Sequence, residues 1–286
     1  MVGLELSRRL AAAGHELSAA YLDHPLQEFA PLKLDILNER SVQAAFDTIR
    51  PDWVIHCAAM TNVDECERHP AQAMEINANA SGRLARAAAA HGARFAYIST
   101  SFVFGNHPAG LRLDETAVAD PINEYGKSKL EGERQTAAAS AEHLILRIDQ
   151  PYGWTPAWQK TNMVKRTLEQ FAAGRPFSVF NDWYNQPTFL SNFAQVCQAL
   201  IETDSRGIFH CAGADHLSRY EWALRIGKIF GLDTGLVSQN TSASMNFPAR
   251  RPNVALDCRA AEKRTGMRMA GVDEGLKQMK KERRAD

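Results

Sequence analysis

The sequence predicts an α/β fold: a Rossmann-like, doubly wound parallel sheet with a smaller mixed C-terminal lobe. Three observations predict it. Short apolar runs such as WVIHC (53–57), RFAYIST (94–100) and HLILR (143–147) alternate with helix-patterned stretches of ten residues or more, which is the signature of βαβ units on a parallel sheet. Right-handed crossovers between such strands give a doubly wound topology. After Arg147 the texture changes, and residues 150–162 (QPYGWTPAWQKTN) are rich in turn formers and aromatics. The chain therefore divides near residue 150, with 1–150 as a dinucleotide-binding domain and 151–286 as a substrate-binding lobe interleaved with it.

Taken in order, residues 2–13 (VGLELSRRLAAA) pattern as a helix stopped by Gly14, a residue suited to the left-handed conformation that follows helices. A short strand is expected near 16–22. Residues 41–49 form an amphipathic helix with Ser41 as a candidate cap. Arg50-Pro51 separates that helix from the buried strand at 53–57. Residues 70–91 read as one long alanine-rich helix, and 94–100 as the next strand. A helix holding Tyr125 runs to about residue 139, followed by the strand at 143–147. In the second half, helices are expected near 162–173, 191–203, 219–231 and 273–283, with strands near 177–180 and 207–211.

Composition narrows the function classes. Of 286 residues 45% are hydrophobic, enough for a substantial core. Lys plus Arg equals Asp plus Glu at 33 each, so there is no basic footprint for nucleic acid and no polybasic membrane patch. No apolar run has the length of a membrane span. Charges interrupt the first ten residues, unlike the apolar core of a signal peptide. The five cysteines are odd in number and scattered without CxxC spacing, which points to free thiols in a reducing cytoplasm. No compact carboxylate cluster stands out, so no metal is expected.

The chemistry gathers where the strands end, because ligands of doubly wound sheets bind beyond the carboxyl ends of the strands. The three apolar runs end in His56-Cys57-Ala58-Ala59, in Ser99-Thr100-Ser101 and in Arg147. Tyr125 and Lys129 follow in EYGKSKL (124–130), four apart and so on one helix face. A hydroxyl at a strand end with Tyr and Lys on the next helix is a proton-transfer set. Thr100 polarises a carbonyl oxygen, Tyr125 protonates it, and the Lys129 ammonium lowers the tyrosine pKa. The plain alternatives are a strand-end hydroxyl satisfying a loop backbone and a surface helix carrying one aromatic among charges.

At this point the chain resembles an extended short-chain dehydrogenase/reductase, and most the dTDP-4-dehydrorhamnose reductase family. The resemblance rests on HCAAMTNVDECERHPAQAMEINANASGRLARAA (56–88), YISTSFVFGN (97–106), DPINEYGKSKLEGE (120–133), QPTFLSNFAQ (186–195), GIFHCAG (207–213) and RPNVALD (251–257), in order along nearly the whole chain. It implies an NAD(P)-dependent oxidoreductase that reduces a nucleoside-diphosphate 4-keto-6-deoxy sugar at C4, in dTDP-rhamnose biosynthesis. Thr100, Tyr125 and Lys129 match the family's catalytic set, and Lys129 also meets the nicotinamide ribose. Gly3 matches the last glycine of the dinucleotide turn, Ala58 and Ala59 the loop passing the cofactor, and Asp35 the residue that meets the adenine. For Asp35 a helix-preceding cap is the alternative. Thr61, Val63, Asn162, Trp183 and Arg250, with Arg251 beside it, fall in substrate segments. The alternative for the two arginines is a solvated pair.

Two features depart from the family pattern. The family begins with a strand and a G-x-x-G-x-x-G turn, whereas this sequence starts MVGLELSRRL. The strand absent here is a central one in the order 3-2-1-4-5-6, and its neighbours are expected to face a gap. A displaced start, a short variant and a relative that no longer binds cofactor are the three explanations. The second departure is the place of the acidic residue that grips the ribose of NAD. It falls near Tyr21, with Asp23 and His24 after it and no Arg close in sequence, which leans the choice between NADP and NAD toward NADP. The expected partner is the sugar-nucleotide substrate, with a homodimer left open. The rival from another class is a nucleotide-binding regulatory subunit without turnover. Epimerase chemistry is a further alternative, and dehydratase chemistry is disfavoured because Ser101 and Phe102, not acids, follow Thr100.

Overall fold

The protein is described by a computed structural model covering residues 1–26, 28–108 and 110–283. The chain begins with α1 (Val2–Ala12), then β1 (Ala19–Tyr21), β2 (Pro31–Lys33), α2 (Glu39–Ile49), β3 (Trp53–His56) and α3 (Val63–Arg68). Next, α4 (Pro70–Met74) passes through a π turn (Glu75–Asn79) into α5 (Ala80–Ala90), followed by β4 (Arg94–Thr100), α6 (Glu124–Ala139) and β5 (His143–Ile148). The second half holds α7 (Met163–Ala172), α8 (Leu190–Glu202), β6 (Gly207–His210), α9 (Arg219–Phe230), α10 (Arg259–Thr265) and α11 (Val272–Glu282).

The main sheet is parallel in the order β6-β5-β4-β3, with Ser99 opposite Arg147 and Thr100 opposite Ile148. The strands β1 and β2 form a separate parallel pair. Among the described residues no ladder joins β1 to β3, so the sheet is in two pieces where the sequence places its gap. The face of β3 is nevertheless covered: Val2 and Leu6 of α1 pack in one core with Trp53, Ile55 and Cys57.

Local chemistry explains most boundaries. Gly14, at φ 88°, follows the last turn of α1. In α2 the buried pair Val42 and Phe46 is one turn apart, and the cap is Asn38, whose side chain accepts from Ser41 N at 3.1 Å. Ser41 is therefore inside the helix and not its cap, because the asparagine three residues earlier reaches the free amide first. The expected single helix at 70–91 is continuous but widened by the π turn, a distortion common at functional sites. It places Asn77 so that its amide accepts from Met60 N at 2.8 Å and donates to Met60 O at 3.0 Å.

Two glycines bring α6 against β4. A Cβ at Gly126 would land on the Phe102 carbonyl oxygen, and one at Gly132 on the Asn77 carbonyl and the Tyr97 hydroxyl. The second half contributes to both layers. β6 completes the main sheet and α8 packs on α1. A separate core of Tyr152, Phe189, Trp222, Ile226, Val272 and Leu276 gathers α9 and α11.

Candidate active site

Thr100 is the last residue of β4. Its hydroxyl accepts from Phe102 N at 3.2 Å and is in hydrogen-bond contact with the Tyr125 phenol. The loop-backbone bond expected of a strand-end hydroxyl is present, and the same oxygen also meets the tyrosine. Tyr125 stands in the first turn of α6, capped by Asn123, whose side chain accepts from Gly126 N at 2.8 Å. Its ring meets Phe102 edge-on at 5.6 Å and remains partly exposed. One turn on, Lys129 is buried. Its Nζ donates to the Ile98 carbonyl at 2.8 Å and lies 3.8 Å from the centre of the Tyr97 ring. The strand end and the helix thus bring Thr100, Tyr125 and Lys129 together.

The electrostatics correct one expectation. Burial pushes the Tyr125 phenol above its ordinary pKa, the Thr100 hydrogen bond opposes this, and Lys129 is not among the influences. The ammonium faces the Ile98 carbonyl and the Tyr97 ring. Lys129 is itself brought down to about 7 by burial, against the pull of Glu133 and Cys57. Behind it, His56 is held neutral, its pKa lowered to about 3 by burial, and contacts Ser81 Oγ at 2.9 Å.

Beside this set lies a buried ion pair. Glu133 receives Arg147 Nε at 2.9 Å, Arg147 Nη2 at 2.6 Å and Ser99 Oγ at 2.5 Å. Arg147 also meets His210 at 3.2 Å and covers the Phe104 ring. The polar strand end at Arg147 is therefore a structural ion pair inside the sheet.

The other expected residues fall into two groups. Gly3 lies in the first turn of α1, where a Cβ would stand 3.4 Å from that of Cys57, so helix and strand end approach closely. Ala58 and Ala59 follow β3; Thr61 is exposed, and Val63 opens α3. Asp35 accepts from Leu37 N at 2.9 Å in the turn after β2; it is not the cap of α2, which is Asn38. Asn162 is the cap of α7. It accepts from Val164 N and Lys165 N and donates to Gly153 O at 2.8 Å, so its amide is already engaged, contrary to a substrate contact.

Arg250 is exposed and offers its backbone carbonyl to Asn123. Its neighbour Arg251 turns inward, paired with Asp64 at 2.7 Å and 5.3 Å from the Trp183 ring. Of the two adjacent arginines, Arg251 is therefore the one directed to Trp183. Trp183 is buried, stacks with Phe180 at 5.8 Å, and has an indole N–H without a partner among the described residues.

Three residues not singled out from the sequence belong to the same region, Asn77 among them although it lies in the quoted stretch 56–88. Arg219 lies 3.6 Å over Trp183, its pKa lowered to about 10 by burial and then by Arg166. Asn77 braces the 58–62 loop. Asp149 is a buried carboxylate directly after β5. The capping box of Ser218 and Glu221 is the readable signal that places Arg219 at a helix start. An acid directly after a buried strand is the signal for Asp149.

The residues present fit the ribose of a nicotinamide dinucleotide. Lys129 has three donors and one carbonyl acceptor, and Tyr125 stands one turn before it on the same helix, partly exposed. An Arg also comes close in space to the loop after β1, since Arg8 donates to Glu28 at 2.8 Å.

A family model, RmlD substrate binding domain, matches residues 1–285. Methionine adenosyltransferase 2 subunit beta of Bos taurus is 30% identical over 256 residues, 85% of this chain and 75% of that protein. The solved structure of a dTDP-4-dehydrorhamnose reductase from Clostridium acetobutylicum has a TM-score of 0.87 and 30% identity, covering 99% of this chain and 96% of that one. That of a dTDP-4-dehydrorhamnose reductase from Bacillus anthracis, in complex with NADP, has a TM-score of 0.83 and 28% identity over 89% of this chain and 90% of its own. With the strand-end set in register and the match spanning the chain, this protein belongs to the RmlD substrate binding domain family, within the extended short-chain dehydrogenase/reductases.

Proposed function

We propose that this protein is an NAD(P)H-dependent reductase of a nucleoside-diphosphate 4-keto-6-deoxy sugar. The observation that carries the reading is the contact of Thr100 with Tyr125 above the buried, under-bonded Lys129. The bound cofactor supplies a hydride to C4. Thr100 hydrogen-bonds the C4 oxygen, Tyr125 gives its proton to the alkoxide that forms there, and Lys129 holds the ribose hydroxyls. Before cofactor binds, burial holds the Tyr125 phenol protonated, and donation follows as negative charge develops on the C4 oxygen. Residues 1–150 would hold the cofactor, with Gly3, Asp35, Ala58 and Ala59 along it, and 151–286 the sugar nucleotide.

Arg219 and Arg251 around Trp183 suit a diphosphate beside an aromatic nucleoside, and Thr61 and Val63 are further candidate contacts to the substrate. The NADP complex of the Bacillus anthracis relative favours NADP. The five free thiols suit a reducing cytoplasm, and no described helix is long and apolar enough to cross a membrane.

The test is oxidation of NADPH and NADH, followed at 340 nm, with dTDP-4-keto-6-deoxyglucose and its epimers. Turnover that Tyr125→Phe abolishes supports the reading. The likeness to methionine adenosyltransferase 2 subunit beta supports the regulatory-subunit rival. Saturable cofactor binding without turnover on any keto-sugar nucleotide would favour that rival.

A further inference from the structure

Asp149 stands immediately after β5, 4% exposed, beside the candidate site. Its Oδ1 accepts from Ser101 Oγ at 2.9 Å and its Oδ2 from Gln186 N at 2.6 Å. Its carbonyl accepts from Thr188 Oγ1 at 2.6 Å and Thr188 N at 3.0 Å. One residue therefore ties the turn that follows Thr100 to the segment 186–188 from the other half of the chain. The next residue, Gln150, sits at φ 37°, a left-handed conformation that a non-glycine residue adopts at a cost.

Two ionisable groups face this carboxylate: Tyr125 from α6 and Arg219 from α9, the latter flanked by Arg166 and Arg251. Neither Ser101 nor the segment 186–188 adds a titratable side chain. We propose that Asp149 is a positioning residue for the Thr100–Tyr125 pair, tying the turn after β4 to the opposite half of the chain and presenting a negative charge to Tyr125, with the ionised form as the working one. The role rests on the proposed reductase reading.

The hydrogen bonds give the physical reason. An ionised carboxylate accepts from both Ser101 and Gln186. A proton on Oδ2 would face the Gln186 N–H, donor against donor, and a proton on Oδ1 would force the Ser101 hydroxyl to turn. Protonation thus breaks or reverses one of the two side-chain bonds that tie the turn after Thr100 to the segment 186–188. Burial raises Asp149 to about 6, against the bonds from Gln186 and Ser101, so the change falls within the range in which an enzyme works. While ionised, the carboxylate raises the proton affinity of the phenol, so the two titrations are coupled.

The test is a pH titration of the full chain labelled with ¹³C at Asp Cγ and Tyr Cζ. Asp149→Asn identifies the Asp149 signal, and Tyr125→Phe identifies that of Tyr125. The expected result is an Asp149 inflection near pH 6 that the Tyr125 signal follows, and that is lost from Tyr125 in Asp149→Asn. Ser101→Ala, which removes a bond to the ionised form, should move the midpoint up; if Asp149→Asn does not fold, this variant carries the test alone. A Tyr125 signal indifferent to that inflection, an Asp149 midpoint near the ordinary value of about 4, or an unmoved midpoint in Ser101→Ala overturns the proposal. Where NADPH oxidation with dTDP-4-keto-6-deoxyglucose is measured, its acid limb should share the midpoint and vanish in Asp149→Asn. A wild type without turnover defeats the reductase reading, while the titrations still judge Asp149.

Discussion

Two buried cations lie against β4, and the fold treats them in opposite ways. Arg147, across from Ser99, is paired with Glu133 through two hydrogen bonds and also meets His210 and the Phe104 ring. Lys129, reaching Ile98, has one carbonyl and one ring face. A buried charge bonded to its counter-ion can be structural, whereas one bonded to no carboxylate costs stability and marks a place where a ligand completes the set. The same contrast separates Asn162, its amide engaged three ways, from Trp183, whose indole N–H is unmatched.

The largest test of this contrast is Tyr125→Phe, which should lower reductase turnover by about 10²–10⁴-fold while leaving the urea unfolding midpoint unchanged. An undiminished rate would remove Tyr125 from the chemistry. The paired side should answer in the other currency. Arg147→Met leaves Glu133 buried without its partner and should lower unfolding stability by about 3–5 kcal/mol. Loss of activity at full stability would instead place Arg147 in the site.

Lys129 should show itself through pH. Its pKa is lowered in the folded state to about 7, from an unfolded value of about 10.4. Between the two the unfolded chain binds the extra proton, so this group makes stability rise with pH. From pH 7 to 9 the wild type should gain about 2 kcal/mol more than Lys129→Met, read from urea melts at each pH. Parallel curves would show that the ammonium is not desolvated. The smallest effect concerns Asn162, whose replacement by Ala should cost about 1 kcal/mol of stability and leave the KM for substrate in place. A raised KM at unchanged stability would return Asn162 to the substrate set.

The motif-bearing half of this site was open to sequence reasoning because its geometry is local. Four residues separate Tyr125 from Lys129, and Asn123 before them marks the start of α6, so their common face follows from helix pitch alone. Position within a motif did not say which of two adjacent arginines turns inward. Arg251 is chosen over Arg250 by Asp64, 187 residues away. Nor could it reveal Asn162 as a cap already in use, since Gly153 and the α7 amides compete for the same side chain. Asp149 and Arg219 escaped notice because each is defined by partners from a distant part of the chain.

The amino-acid order by itself carries the alternation of strands and helices and the Tyr-Lys spacing, because these depend on periodicity and on neighbours one turn away. The protonation states are a different matter. The direction of the Tyr125 shift, the half-neutral Lys129 and the poised Asp149 depend on how much water is excluded and which groups from distant segments close around each charge. Desolvation and long-range pairing are properties of the packed chain, and no short stretch of sequence contains them.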